Sequence, residues 1–458
     1  MPISEDRAPA PSEPDTTSAD RRDFRRIAIA SLVGTLIEGY DFVLYSLAAA
    51  LVFPKVFFPS LGPAAGTIAS LATLGVAFAG RPIGAILFGH FGDRLGRKRT
   101  LIATVTGMGL GTTLMGLIPS ADTIGIAAPI LIVVLRAIQG IAIGGEWAGA
   151  VLFVTEHAPK ERRGLYAMFP QLGHSMPNAL SAGTFLLVGL LVSPETFLAW
   201  GWRVPFIASV LLLAFSLYIR LRVEETPVFK NQQKRGGTSG VPLFAAFRRQ
   251  PGTILRTAGV SLTALTFVYV GNAFVANYGV GSLGLSRNAV LAMGAASGLA
   301  FAMFTMLSAV LSDRFGRRPV IGGSQILGVV WGLVLFPLLD TGSVAAYGLA
   351  MCLTMAIAGL GYGAIGAFVP EQFPTAYRYT AAGIAYQITG VIGGGVAPLL
   401  APVIISAQGT TVFGIVLAAI SAVAAVCTFS LRETGKDDLD GQHADEQAGH
   451  TLAQQGER

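Results

Sequence analysis

The sequence predicts an all-α membrane protein with 12 transmembrane helices, arranged as two six-helix bundles related by a pseudo-twofold axis. Three observations support this fold class. Of the 458 residues, 52% are hydrophobic and only 13% are charged, whereas a soluble globular protein is about 25% charged. Many apolar segments are long enough to cross a bilayer, which takes about 20 helical residues. Two charged motifs also occur once in each half of the chain.

The predicted spans are helices rather than the strands of a barrel. They contain internal Gly and Pro, and no run of alternating ten-residue strands is present. The twelve spans are 26–53, 66–92, 99–119, 125–155, 164–193, 200–221, 254–281, 289–311, 318–339, 344–369, 379–405 and 410–431.

The basic residues indicate the orientation of the chain. Lys and Arg concentrate on every second connection, and Lys55 and Arg287 are the exceptions on the other side. Cytoplasmic loops carry such an excess, so we expect a multi-pass protein of the plasma membrane with both termini cytoplasmic. This distribution of the +6 net charge argues against a nucleic-acid partner. Cys352 and Cys427 fall inside spans and suggest no disulfide.

Two repeated motifs divide the chain into two halves. "GDRLGRKR" at 92–99 recurs as "SDRFGRRP" at 312–319, and "EHAPKERRG" at 156–164 recurs as "EQFPTAYRY" at 371–379. A duplicated six-helix unit with both copies in one orientation explains this pattern. The predicted organisation is a disordered tail (1–23), a first bundle (24–222), a cytoplasmic linker (223–253), a second bundle (254–432) and a disordered tail (433–458).

The same residues carry a resemblance to a known family. "GHFGDRLGRKR" resembles the signature loop of the major facilitator superfamily. "EGYDF", "RPIGAILFGHFGDRLGRK" and "RAIQGIAIGGEW" resemble its metabolite:proton symporter family, and "WGWRVPF", "APKERRGLYA" and "YRYTAAGIAYQITGVIGGGVAP" are most like the shikimate-permease branch. The resemblance runs from about residue 24 to 432 and implies a carrier, not an enzyme. The family commonly has Trp where this chain has Gly39, so we expect a wider site there.

Five charged residues are placed at membrane depth in the predicted spans of the first half. They are Glu38, Asp41, Arg81, Arg136 and Glu146. Such groups cost about 2.5–3.5 kcal/mol each at the bilayer centre, so they seldom persist without a partner or a task. Three acids face two arginines, which stay charged. We therefore expect one acid to alternate between a neutral state and an Arg-paired state.

Proton coupling is assigned to Asp41, Glu38 and Arg136. At a rise of 1.5 Å per residue, Asp41 lies about 18 Å and Arg136 about 15 Å from the outer helix ends, so they can pair. Sugar/proton carriers of the superfamily resemble the chain at "GYD" and at the helix-four Arg, where the pair is the coupling element. Asp41 is the leading proton carrier and Glu38 the alternative. A purely structural role in pinning helices one, two and four together is also open.

The resemblance assigns the repeated motifs to a cytoplasmic gate that latches shut in the outward-open state. The predicted gate residues are Asp93, Arg94, Arg97, Asp313, Arg314 and Arg317, with Glu156 and Arg163, and Glu371 and Arg378, as companion charge relays. An Asp at this place can face the positive end of a helix in the opposite half or pair with an Arg. Gly140 and Gly144 form a small-residue face that permits close helix packing.

Polar side chains at helical spacing predict a central substrate cavity. The candidates are Tyr45, Arg81, Gln139, Gln171, His174, Asn178, Tyr269, Asn272, Tyr362 and Gln387, with Tyr386 beside the last. Hydroxyls and amides suit a hydroxylated or carboxylated metabolite, and Arg81 or Arg136 could meet a carboxylate. For each residue, an interhelical hydrogen bond is the alternative role.

The predicted function is import of a small hydrophilic metabolite together with protons, by a monomer in the bilayer. The sequence contains no phosphate-binding loop, metal-ligand spacing or catalytic constellation, so we expect no cofactor and no metal, the proton gradient being the energy source. Shikimate or a related hydroxylated carboxylate is the leading substrate. The alternatives are a proline/betaine osmolyte symporter, a drug:proton antiporter and a non-transporting nutrient receptor.

Overall fold

The computed structural model describes residues 18–173, 177–221 and 242–435, and the regular structure in these ranges is helical. We number the α-helices of six residues or more in chain order. They are α1 (Ser18–Leu51), α2 (Gly62–Leu95), α3 (Arg97–Leu117), α4 (Ala127–Thr155), α5 (Arg163–Leu172), α6 (Pro177–Leu191), α7 (Arg203–Leu221), α8 (Pro242–Arg249), α9 (Pro251–Val260), α10 (Leu262–Tyr269), α11 (Ala276–Gly281), α12 (Arg287–Phe315), α13 (Arg317–Leu339), α14 (Val344–Glu371), α15 (Arg378–Thr389), α16 (Ala397–Gln408) and α17 (Thr410–Phe429).

Eleven of the twelve predicted spans have a counterpart within the described ranges. Nine helices are long and apolar enough to cross a membrane, and two bent helix pairs each supply one more span. The remaining predicted span, 164–193, is divided between α5 and α6, with residues 174–176 outside the described part. The all-α class and the order of the spans follow the prediction.

The two bent spans lie in the second half of the chain. A bend of 41° falls between α9 and α10, and a bend of 45° follows the π-helical segment Gly390–Val396. Glycine adds backbone freedom in this segment, and Pro398 supplies no N–H to continue the helix. These glycines and this proline therefore account for the bend of this span.

Glycine allows α2 and α4 to pack with their backbones in contact. A Cβ atom at Gly140 would meet the carbonyl oxygen of Ala77, and one at Gly144 would meet that of Arg81. The second half repeats the arrangement, because Cβ atoms at Gly359 and Gly363 of α14 would meet backbone atoms of α12. This is the close packing that the small-residue face predicts.

The predicted tails and linker are more structured than expected at their edges. α1 begins at Ser18, within the predicted tail 1–23, and α8 lies within the predicted linker 223–253. α8 contacts α2 of the first half and α9 and α15 of the second. Residues 433–435 also contact the second bundle. The rest of both tails and of the linker lies outside the described residues.

The two halves meet most closely at one end of the molecule. α2 packs against α15, and α5 packs against α12 and α14. This end holds the repeated motifs 92–99, 156–164, 312–319 and 371–379, and we call it the basic end. A cavity separates the halves above these contacts and leads toward the opposite end.

Candidate functional site

The cavity has a volume of about 1240 Å³ and is lined by both halves. Five of the predicted substrate residues line it: Arg81, Tyr269, Asn272, Tyr362 and Gln387. The lining also includes Leu47 near the end of α1 and Val290 near the start of α12, so the cavity reaches the end opposite the basic end. The size suits a small organic molecule with its water.

Three predicted substrate residues do not line the cavity and instead join helices. The Tyr45 hydroxyl is 2.6 Å from Thr73 Oγ1. Gln139 bonds with Arg136 and with a threonine of α3. Gln171 accepts a hydrogen bond from the indole of Trp147 and donates one to the carbonyl of Tyr362, both at 2.9 Å. Periodicity placed these side chains on inward faces, but buried polar groups need partners, and these residues supply them.

The side chains of three further predicted residues lie outside the described part of the structure. His174 lies outside the described residues, and the side chains of Glu38 and Asn178 are likewise outside the described part. Their assignments stay predictions.

A stacked aromatic pair forms part of the cavity lining; Tyr386 was among the predicted candidates and Trp147 was not. The ring of Trp147 stacks on that of Tyr386, with centroids 3.7 Å apart and an interplanar angle of 3°. The Tyr386 hydroxyl is 3.0 Å from the hydroxyl of Tyr362. Trp147 lies one helical turn after Ile143, on the face that also carries Gln139, so the spacing used for α4 could have found it.

Asp41 is buried without a hydrogen-bond partner. The residue is 1% exposed, and neither carboxyl oxygen has a partner at hydrogen-bonding geometry. Thr112 and Arg136 are its polar neighbours. An ionised carboxylate in such a place is strongly unfavourable unless it is paired, so this geometry suits the neutral form.

Arg136 does not form the predicted ion pair with Asp41 in this conformation. Its Nη1 donates to Gln139 Oε1 at 3.1 Å. The guanidinium lies over the ring of Tyr45 at 4.0 Å and over that of Phe42 at 5.1 Å. Aromatic faces hold the cation where a carboxylate was expected. Arg136 is a neighbour of Asp41, but its hydrogen-bond partner in this conformation is Gln139.

The predicted charge count in the first half needs a correction. Glu146 pairs with Arg220 of α7 at 2.5 Å and accepts a hydrogen bond from Thr104 at 2.7 Å. Arg220 lies at the end of the predicted span 200–221 and was not counted among the charges of the first half. Glu146 is therefore neutralised, and Asp41 is left as the described candidate acid beside Arg136.

Gly39 lines the cavity but does not widen it as predicted. A Cβ atom at this position would collide with the ring of Pro177 at the start of α6. Pro177 of α6 fills the space that a larger side chain at position 39 would need.

Two aspartates join the halves at the basic end in the same way. Asp93 of α2 accepts hydrogen bonds from the backbone N–H groups of Tyr379 and Thr380, both at 3.1 Å, at the start of α15. Asp313 of α12 accepts from the N–H groups of Gly164 and Leu165 at the start of α5, at 2.8 and 2.9 Å. Each carboxylate meets the positive end of a helix from the other half.

Ion pairs extend both contacts across the boundary. Arg97 lies between Asp93 and Glu156, at 3.6 and 3.3 Å, and Arg378 is 3.7 Å from Glu156. In the repeat, Arg317 lies between Asp313 and Glu371, and Arg163 is 4.0 Å from Glu371. The structure thus places each glutamate beside the arginine of the opposite half. The predicted gate residues Arg94 and Arg314 are exposed.

The segment after α17 contacts the second of these networks. Glu433 accepts from the backbone N–H groups of Arg317 and Arg318 at 2.9 and 2.8 Å. The hydroxyl of Thr434 donates to Glu371 at 2.7 Å. These residues were predicted to begin a disordered tail, and nothing in their polarity distinguished them from it.

Within the described ranges, no three His, Cys, Asp or Glu side chains are grouped as a metal site requires.

Comparison with known proteins identifies relatives over nearly the whole chain. An inner membrane metabolite transport protein of Escherichia coli K12, YhjE, is 38% identical over 419 residues, covering 90% of this chain and 95% of the relative. The shikimate transporter of the same strain is 39% identical over 409 residues, covering 86% and 91%. A proline/betaine transporter of that strain is 30% identical over 438 residues, covering 93% and 87%.

A solved structure shares the fold. The proton:xylose symporter XylE bound to 6-bromo-6-deoxy-D-glucose superposes with a TM-score of 0.77 at 18% identity, covering 93% of this chain and 99% of the other. The family model described as Major Facilitator Superfamily matches residues 31–391 and 272–454. The resemblance inferred from the signature loop is therefore confirmed, and the chain belongs to the major facilitator superfamily of membrane transporters.

Proposed function

We propose that this transporter imports a small organic acid together with protons by alternating access, as a monomer in the plasma membrane and without a cofactor. The observation that carries the proposal is the buried, unbonded carboxyl of Asp41 beside Arg136 and close to a cavity that both halves line. Relatives named as metabolite and shikimate transporters support the substrate class.

The orientation follows from the basic connections. With the basic end in the cytoplasm, the cavity faces outward and the Asp93 and Asp313 contacts close the inner side. Opening toward the cytoplasm then requires both contacts to break while the outer side closes. The halves move as units around the central site, the usual mode in carriers built from repeats.

Proton coupling uses a change of partner at Asp41. In the outward-facing geometry the carboxyl has no hydrogen bond, which favours the protonated form. When the cavity turns inward, Arg136 leaves the rings of Tyr45 and Phe42 and approaches the carboxyl, which then releases its proton. The proton gradient supplies the energy for substrate accumulation.

The test compares wild-type protein with Asp41→Asn in liposomes. Asn resembles the protonated acid but cannot release a proton. We expect the variant to lose gradient-driven accumulation of labelled organic acid while it retains exchange of internal for external substrate. Asp122→Asn, which removes an exposed acid outside the site, is the matched control. Intact uphill uptake by Asp41→Asn would show that the proton is carried elsewhere.

The second candidate is a proline/betaine-type osmolyte symporter. The stacked rings of Trp147 and Tyr386 favour it, because aromatic faces bind quaternary ammonium groups, and one relative is a proline/betaine transporter. A drug:proton antiporter is less well supported, since the described cavity lining contains an arginine and no acid. Accumulation in sealed vesicles separates any carrier from a non-transporting receptor.

A further inference from the structure

One wall of the cavity carries almost no hydrogen-bonding side chains. On α12, small and apolar residues follow one another at intervals of four, and two methionines of α14 continue the surface. These residues are Val290, Gly294, Gly298, Ala302, Met351 and Met355. A Cβ atom at Gly294 or Gly298 would meet no atom within 4 Å. The wall is therefore smooth and open, and a ring can lie against it.

The facing polar groups are few, and several already bond to protein. The Trp147 indole N–H donates a hydrogen bond to Gln171, and the hydroxyls of Tyr362 and Tyr386 form a hydrogen bond with each other. The side-chain amide of Gln387 donates to the carbonyl of Gly144 at 3.3 Å. Tyr269 and Asn272 also line the cavity, and no described hydrogen bond to protein occupies either side chain, so they can meet one or two ligand hydroxyls. A ligand with more hydroxyl groups leaves some of them unbonded, because each hydroxyl must replace the bonds that it made to water.

Arg81 is the one charged side chain among the described residues that line the cavity. It lies over the rings of Phe42 and Phe78, at 5.2 and 4.7 Å, and no described carboxylate pairs with it. Its backbone carbonyl packs against Gly144, whose own carbonyl bonds Gln387. The backbone of Arg81 is therefore about one helical turn from the level of Trp147, which follows Gly144 on α4.

Resting on the proposed function, we infer that the carried acid is an aromatic monocarboxylate of the benzoate type, with at most one or two hydroxyl groups. Arg81 binds the carboxylate, Tyr386 contacts the ring with Trp147 stacked behind it, and the α12 wall covers the other face of the ring. A polyhydroxylated acid such as shikimate leaves hydroxyls against the apolar wall. Each unsatisfied hydroxyl lowers affinity about tenfold or more.

Equilibrium binding to the purified wild-type protein tests this inference without a proton gradient. The probes are 4-hydroxybenzoate, shikimate and benzamide, the last being an uncharged analogue. We expect 4-hydroxybenzoate to bind at least about tenfold more tightly than shikimate, and benzamide to bind more weakly by a similar factor. Arg81→Gln should reduce the affinity for 4-hydroxybenzoate to that for benzamide.

A variant of the wall provides the second arm. Gly298→Ser places a hydroxyl on the α12 wall where there is room for it, and should reduce the preference for 4-hydroxybenzoate over shikimate at least threefold. Gly183→Ser, at another position with open space, should leave the ratio unchanged. Shikimate binding as tightly as 4-hydroxybenzoate, or a ratio unmoved by Gly298→Ser, would overturn the substrate class. These binding measurements do not depend on proton coupling, which is tested separately by gradient-driven uptake with Asp41→Asn.

Discussion

Asp93 of the first half accepts two hydrogen bonds from Thr380 of the second, one from its backbone N–H at 3.1 Å and one from its hydroxyl at 2.8 Å. The contact is buried and lies at the start of a helix, where backbone N–H groups have no partner within the helix. A charged acceptor is well suited to this place, because it satisfies these donors and also meets the positive end of the helix dipole.

Asp93→Asn should weaken closure of the basic end. The amide keeps one acceptor oxygen but loses the charge, and a hydrogen bond to a charged group contributes about 1.5–3 kcal/mol. Thr375 is buried between the halves, where its carbonyl accepts from Arg97. We expect a single cysteine at position 375 to react with an impermeant maleimide, added on the side of the basic end, at least about fivefold faster in the variant.

The control for this measurement is Asp122→Asn, an exposed acid outside the gate. Asp313→Asn should resemble Asp93→Asn, because it removes the equivalent contact of the repeat. Labelling at the wild-type rate in both gate variants would show that these carboxylates do not hold the end closed.

The Glu146–Arg220 pair should contribute to stability rather than to proton coupling. Glu146→Gln leaves a buried guanidinium without its counter-charge, and breaking such a pair costs about 3–5 kcal/mol. We expect a clearly lower thermal midpoint in detergent, whereas the double variant Glu146→Gln/Arg220→Met recovers part of the loss. Glu161→Gln, at an exposed position, should have no effect. A stable Glu146→Gln protein that no longer couples protons would contradict the structural role.

Contact between α2 and α4 should be intolerant of a single methyl group. A Cβ atom at Gly84 would collide with the carbonyl of Ile141, whereas one at Gly75 of the same helix would meet nothing. Gly84→Ala should therefore destabilise the protein by about 1–3 kcal/mol. Gly75→Ala should be neutral or stabilising by about 0.5–1 kcal/mol. The thermal midpoints of the two variants give the comparison, and equal midpoints would exclude close packing as the role of Gly84.

Residues 433–435, which follow α17, should help to keep the basic end closed. Glu433→Ala removes the acceptor for the N–H groups of Arg317 and Arg318, and a lost helix cap costs about 0.5–2 kcal/mol. We expect faster labelling of the cysteine at position 375 and a lower thermal midpoint. Glu161→Ala serves as the matched exposed control. If Glu433→Ala behaves like wild type in both assays, the segment merely rests on the bundle.

The sequence predicted the parts of this molecule that depend on local patterns. Hydropathy located the spans, and the repeated motifs located Asp93 and Asp313 because the same residues recur at the same place in each half. The partners of side chains could not be predicted in this way. Helical spacing assigns Glu146 to a face of α4, but only packing determines that Arg220 reaches it from α7. The same limit explains why Gln139 and Gln171 were expected in the cavity.

The gate contacts also bear on the origin of the chain. Each half supplies an aspartate that accepts hydrogen bonds from the start of a helix in the other half. Such reciprocal contacts are the pattern of a twofold dimer interface. A single ancestral six-helix unit that paired with its own copy could make both contacts with one set of residues. Fusion of two such genes would preserve the closed end from the first generation onward.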